Sequence, residues 1–179
     1  PRFQKFVDQA LHQDLKDKAD TAESQMKIQS FGAAYGTYRD AVYKAQTLEL
    51  EIQAKEYEWI QTRQLAREAV ESGLANSTSA KTHELEWELQ DGALEKVPTQ
   101  VDKWTNGTLT QLDEQLKSFK VQLADHNSEA LSTEQLKALA QDASQNNLQV
   151  RQAVKVATEQ TALSQQRWEF MDAAAASLA

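Results

Sequence analysis

The sequence predicts an all-α fold: an elongated antiparallel helical bundle with two long helices, at about residues 30–75 and 133–178, and shorter helices between them. Three observations lead there. The chain of 179 residues holds only two prolines and five glycines, too few breakers for a β-sandwich or an α/β fold, which must turn often. It is 40% hydrophobic and 26% charged, the balance of a folded domain rather than a disordered tail. Apolar residues recur at helical spacing over two stretches, each about 70 Å long at ~1.5 Å rise per residue. The whole of 1–179 reads as one domain. Pro1 in place of Met, and a helical pattern that reaches Ala179 without a stop signal, lead to the expectation of a piece of a longer chain.

The first segment, about Phe3 to Gln29, carries Phe3, Phe6, Val7, Ala10 and Leu11, then a charged middle. The second, Ser30 to Ala75, places Phe31, Tyr35, Tyr38, Val42, Ala45, Ile52, Trp59, Ala66 and Val70 at alternating three- and four-residue spacing, the pattern of a packed seam. A break separates the two segments; the alternative is one continuous helix. Gly32 and Gly36 favour a kink near the start of the second. Asn76-Ser77-Thr78-Ser79 reads as a loop, because such side chains compete for backbone hydrogen bonds and favour caps and turns. Ala80–Lys96 reads as a third helix ended by Pro98, which pushes Val97 out of the helical region.

Thr99–Asp125 reads as a fourth helix interrupted at Asn106-Gly107, with Val101, Trp104, Leu109, Leu112, Leu116, Phe119 and Leu123 as its apolar set. His126–Ser132 reads as a loop. Ser132 with Gln135 three residues later has the form of a capping box. In the fifth segment Ala140, Asn147, Val154, Thr161, Trp168 and Ala175 recur every seven residues, as do Leu136, Ala143, Val150, Ala157, Ser164, Met171 and Leu178. Together these predict a seam of small residues that admits close helix approach. Self-association along it, as a parallel dimer, is a further expectation.

Net charge is −8. An acidic chain without a Lys/Arg cluster disfavours nucleic acid and anionic membranes as partners. No run of 18 apolar residues is present, so no segment here is expected to span a membrane. There is no cysteine, which removes disulfides, thiolate metal sites and Cys nucleophiles. His12, His83 and His126 lie far apart and suggest no metal set. No phosphate loop, nucleophile motif or cofactor signature appears, so catalysis is not expected. Asn106-Gly107-Thr108 matches a glycosylation acceptor, a triplet common by chance.

The chemistry worth weighing is charge on a seam. Glu49, Glu56 and Arg63 share the heptad phase of Tyr35, Val42 and Val70. In a strict supercoil they would face a partner helix, which is costly without pairing. A straight helix drifts ~20° per heptad and turns them outward. The sharper alternative is a solvated groove for a polar ligand, lined also by Asn147, Thr161 and Ser164. Tyr38-Arg39-Asp40-Ala41-Val42 and Val150-Arg151-Gln152-Ala153-Val154 repeat a short pattern 112 residues apart, in the same heptad phase. An arginine fork at Arg39 or Arg151 suits a carboxylate, through paired hydrogen bonds. Tyr35, Tyr38 and Tyr43 would wall the groove.

The stretch Phe31-Gly-Ala-Ala-Tyr35-Gly-Thr-Tyr38-Arg39-Asp40-Ala41-Val42, with Leu136-Lys-Ala-Leu139 and Val150-Arg-Gln-Ala-Val154, resembles the helical sensor domains of bacterial transmembrane chemoreceptors, the bimodular type most closely. A complete bimodular domain would be longer. The resemblance implies a periplasmic, often dimeric bundle that binds small organic acids between helices and signals by helix displacement. On that reading Arg39, Arg151, Tyr35, Tyr38 and Arg63 are the candidate ligand-binding residues. The competing reading is a structural or interaction module that docks a partner protein and has no small-molecule ligand.

Overall fold

The computed structural model describes residues 6–88, 94–98 and 100–177. The expected apolar positions Phe3 and Leu178 lie outside them, as does the middle of the expected third helix, residues 89–93. The architecture is all-α in its layers. Helix α1 spans Gln9–Lys27, α2 Phe31–Lys81, α3 Gln100–Trp104, α4 Thr108–Gln122, α5 Asp125–Ser128 and α6 Thr133–Ala176. The two long helices are thus present, α2 longer than expected.

Contacts divide the chain into two compact units, Pro1–Gln61 and Thr62–Ala179. In the first, α1 and the start of α2 form an antiparallel hairpin. Asp8 opens α1 by accepting from the backbone N–H groups of Ala10 and Leu11. The helix closes where the sequence placed the break. Gln29 takes φ 60°; its N–H donates to Met26 O at 3.0 Å and that of Ser30 to Gln25 O at 2.9 Å. This is a Schellman closure, with glutamine at the left-handed position that glycine usually fills. Gly32 and Gly36 sit inside regular helix with nothing within 4 Å of a built Cβ, and no break falls there. Lys18 pairs with Asp40 at 2.7 Å and Lys44 with Asp14 at 2.8 Å, which sets the antiparallel register. Phe6 and Trp59 meet edge to face, centroids 6.4 Å apart, and Trp59 is buried as a core plug.

The second unit is a three-helix core of α2 from Thr62, α4 and α6. Ala80, Val101, Leu109, Leu112, Val150, Ala153 and Ala157 form its apolar cluster, with Trp104 and Val154 against it. Gly73 sets a close approach: a Cβ there would stand 2.8 Å from Leu116 Cδ2. Ser132 and Gln135 make the full capping box at the head of α6. Asn106 and Gly107, φ 53° and 78°, separate α3 from α4 as expected. Gly107 has no side chain to cap α4, and Asp102 of α3 supplies the cap instead, accepting from the Thr110 N–H at 3.1 Å and from the Thr110 hydroxyl.

Three expectations are corrected. Asn76–Ser79 is helix, not loop, because its side chains find partners that do not break the backbone ladder: Asn76 bonds Asn147, Ser77 bonds Asp113, and Thr78 bonds Leu74 O one turn back. Ala80–Lys96 is not a third helix. After Lys81 the chain forms an antiparallel pair of strands, β1 (Glu84–Glu88) and β2 (Leu94–Pro98), with Leu85 opposite Val97. The Glu-Leu-Glu-Trp-Glu run alternates with period two, the strand signature. And His126–Ser132 is not wholly loop, since Asp125–Ser128 makes one helical turn.

The seam phases shift as well. Along α6 the buried row joins Leu136, Ala143, Val150 and Ala157, as expected, to Leu139, Asn146 and Ala153. The expected second row, Ala140, Asn147 and Val154, lies half-buried beside it. Along α2 the inward row is Ala34, Ala41, Leu48, Glu56, Arg63, Val70 and Ser77, with Glu56 and Arg63 half-buried. That is about 7.2 residues per step, two turns of a straight helix rather than a supercoiled heptad. The drift turns Tyr35 and Val42 outward and leaves Glu49 exposed.

Candidate functional site

The polar interior of the second unit is built from side chains on all three helices, the charged ones from α2 and α4. Asp113 of α4 is buried. It accepts from Ser77 Oγ at 2.8 Å, Lys81 Nζ at 2.5 Å and Lys117 Nζ at 2.7 Å. Burial alone would raise its pKa; the hydrogen bonds from Lys117, Lys81 and Ser77 outweigh that and hold the carboxyl at about 2. At the same level Asn76 Nδ2 donates to Asn147 Oδ1 at 2.7 Å, and Asn146 Nδ2 to Gln115 Oε1 at 3.0 Å. Each of the three helix–helix seams therefore carries at least one polar link in this layer. The second charged cluster lies further along α2. Arg63 and Arg67 both grip Asp125, at 2.7 and 2.6 Å, and Arg67 also donates to Leu123 O at 2.9 Å. The Arg67 hydrogen bond, then the fields of Arg67 and Arg63, lower the Asp125 pKa.

Two grooves stand out among the described residues. The first runs between α1 and α2, about 610 Å³, walled by Met26, Phe31, Tyr35 and Tyr38 over a floor of Ala19, Ala22 and Ala34, with Glu23 at its rim. The second, about 540 Å³, lies between α2 and α4, where Val70, Val121 and Leu123 meet Arg67, Lys117 and Lys120. Among the described residues no cluster of His, Asp or Glu is placed to hold a metal ion. No described helix is long and apolar enough to cross a membrane.

Of the candidate ligand residues, Tyr35 and Tyr38 come together on one groove wall. Arg39 does not line that groove; it borders a separate surface depression with Asp40, Val42, Tyr43 and Gln46. In the second unit Arg63 is turned to Asp125, and Arg151 is exposed on α6. The five do not form one site within either unit. The two copies of the internal repeat agree at Ala41 and Ala153, both buried, and at Arg39 and Arg151, both exposed, but differ where exposed Tyr38 answers to buried Val150. Asn147 is used structurally, and Thr161 bonds its own helix at Ala157 O. Sequence reasoning missed Arg67, Lys117 and Lys120; the signal was a cation three residues before or after another groove residue on each helix, at 67/70 and 117/120, which spacing alone could not pair.

Comparison of the chain with protein-family models, with curated proteins and with solved structures returns no match.

Proposed function

We propose that the chain is a helical interaction module, with the outer face of the α1–α2 hairpin as its docking surface for an amphipathic helix of a partner protein. One observation carries this reading. Large apolar side chains line one groove in the open: Met26 is 55% exposed, Phe31 61%, Tyr35 70% and Tyr38 63%. Contiguous patches of this kind mark interaction sites on soluble proteins. The hairpin has little core of its own, since α1 buries only Ala22, and a two-helix layer needs a third element to cover its apolar face. Phe31, Tyr35 and Tyr38, spaced four and three, share one face of α2 along the groove, the spacing with which an amphipathic helix is met.

The test is capture of binding partners by the immobilised chain and by a Phe31→Asp, Tyr38→Asp double variant with an unchanged melting temperature. A partner held by the first and lost by the second supports the reading. Identical recoveries from both overturn it. A sensing role, extracytoplasmic and signalled by helix displacement, draws on the presence of Tyr35 and Tyr38 in a groove of small-molecule size. That groove is apolar with a single carboxylate at its rim, which favours an apolar ligand there over an organic acid. Titration with aromatic amines and dicarboxylates separates the two chemistries.

A further inference from the structure

The groove between α2 and α4 has a different character, and it is independent of the hairpin surface. We propose that it binds an amphiphilic carboxylate: an anionic head on a hydrocarbon body. Three cations line it, Arg67, Lys117 and Lys120, against one acid, Glu71, in a chain whose net charge is −8. Arg67 and Lys117 are already paired with Asp125 and Asp113, so Lys120 is the lining cation whose charge is left to draw an anion.

The floor is apolar. Val70 and Leu123 are buried, and Val121 stands open beside them. The volume of about 540 Å³ falls among small-molecule sites, which run ~300–1,000 Å³. Apolar floor and cationic rim together select a ligand with both properties; an inorganic anion would leave Val121 uncovered, and a neutral hydrocarbon would leave the Lys120 ammonium unused.

The rim is held in place. Arg67 is fixed by Leu123 O and Asp125, and Lys117 by Asp113 Oδ2. An ammonium has three donors, so Lys117 keeps donors for a second acceptor. Lys120 is exposed, three residues further along α4 on the same side, and completes the pair that receives the head. The groove lies at the C-terminal end of α4, where the helix dipole repels anions. Arg67, donating to the Leu123 carbonyl, and Lys120, in the last turn, offset that repulsion.

The probe is decanoate below its micelle concentration, followed by calorimetry and by methyl NMR. The expected result is saturable binding with shifts at Val70 and Val121. Decanol, the neutral analogue of the same length, binds about tenfold more weakly, the change that loss of one charge-assisted contact brings. Lys120→Glu, an exposed substitution, weakens decanoate by about tenfold or more and leaves the melting temperature unchanged. Glu71→Gln tightens it, so the proposal is testable even if the lysine variant folds poorly. Equal affinity for decanoate and decanol, shifts confined to Met26 and the hairpin face, or indifference to both variants overturns the proposal.

Discussion

Replacing Asp113 by alanine tests the charged interior of the 62–179 unit directly. In the folded state the carboxyl titrates at about 2 against an ordinary value of 3.8, a difference worth about 2 kcal/mol of folding free energy. The sign follows from the depressed pKa. The contribution is fully present above pH 3.8, the unfolded value, and is lost as pH falls through about 2. At pH 7 the substitution therefore costs about 2 kcal/mol, the Ser77 hydrogen bond included. Lys81 and Lys117 are partly exposed and turn to water, which limits the penalty for the cations left behind. Urea unfolding of both proteins at pH 7 and again at pH 2 reads the effect, with the slope watched for loss of two-state behaviour. The gap between them should narrow by roughly half or more at the lower pH. A gap of the same size at both would show that Asp113 acts by packing and that its ion pairs contribute nothing net.

The glycines of α2 give a pair with opposite signs. Gly73→Ala should destabilise by about 1 kcal/mol, because a Cβ 2.8 Å from Leu116 Cδ2 costs more than helix propensity returns. Gly36→Ala, in open space, should stabilise by ~0.5–1 kcal/mol; thermal melts decide both. Gln29→Gly should stabilise by about 1 kcal/mol by removing a non-glycine residue from φ 60°, and a fall in melting temperature would refute the Schellman assignment. Asp102→Ala, which strips the cap from Thr110 N–H, should cost about 1 kcal/mol in chemical denaturation.

Local signals in the chain were strong where backbone chemistry decides. Ser132 with Gln135, Asn106-Gly107 and the break ahead of Phe31 each marked a real boundary, because caps and left-handed turns depend on neighbours in sequence. Phase was harder. Tyr35 and Val42 looked like seam residues, yet the buried row runs one residue earlier through Ala34 and Ala41. Alanine barely registers on a hydropathy scale, and a strict seven-residue repeat departs from the 7.2 of a straight helix. Asn76–Ser79 failed for a tertiary reason: Asn147 and Asp113, whose bonds keep Asn76 and Ser77 helical, lie far along the chain. The strand pair was readable in the alternation of Glu84–Glu88, which helical spacing of Leu85 and Leu89 obscured. The cationic groove was not readable, since Arg67 and Lys117 come from helices fifty residues apart.

The polar layer of the second unit limits what motion it can transmit. Sliding α4 or α6 by one turn, ~5.4 Å, would pull Asp113 from Ser77 and Gln115 from Asn146, and strand amide and carboxylate groups against alanine and leucine. A piston stroke of one rod past its neighbours is thereby opposed at this level, whereas movement of the three helices as a block keeps each of these bonds.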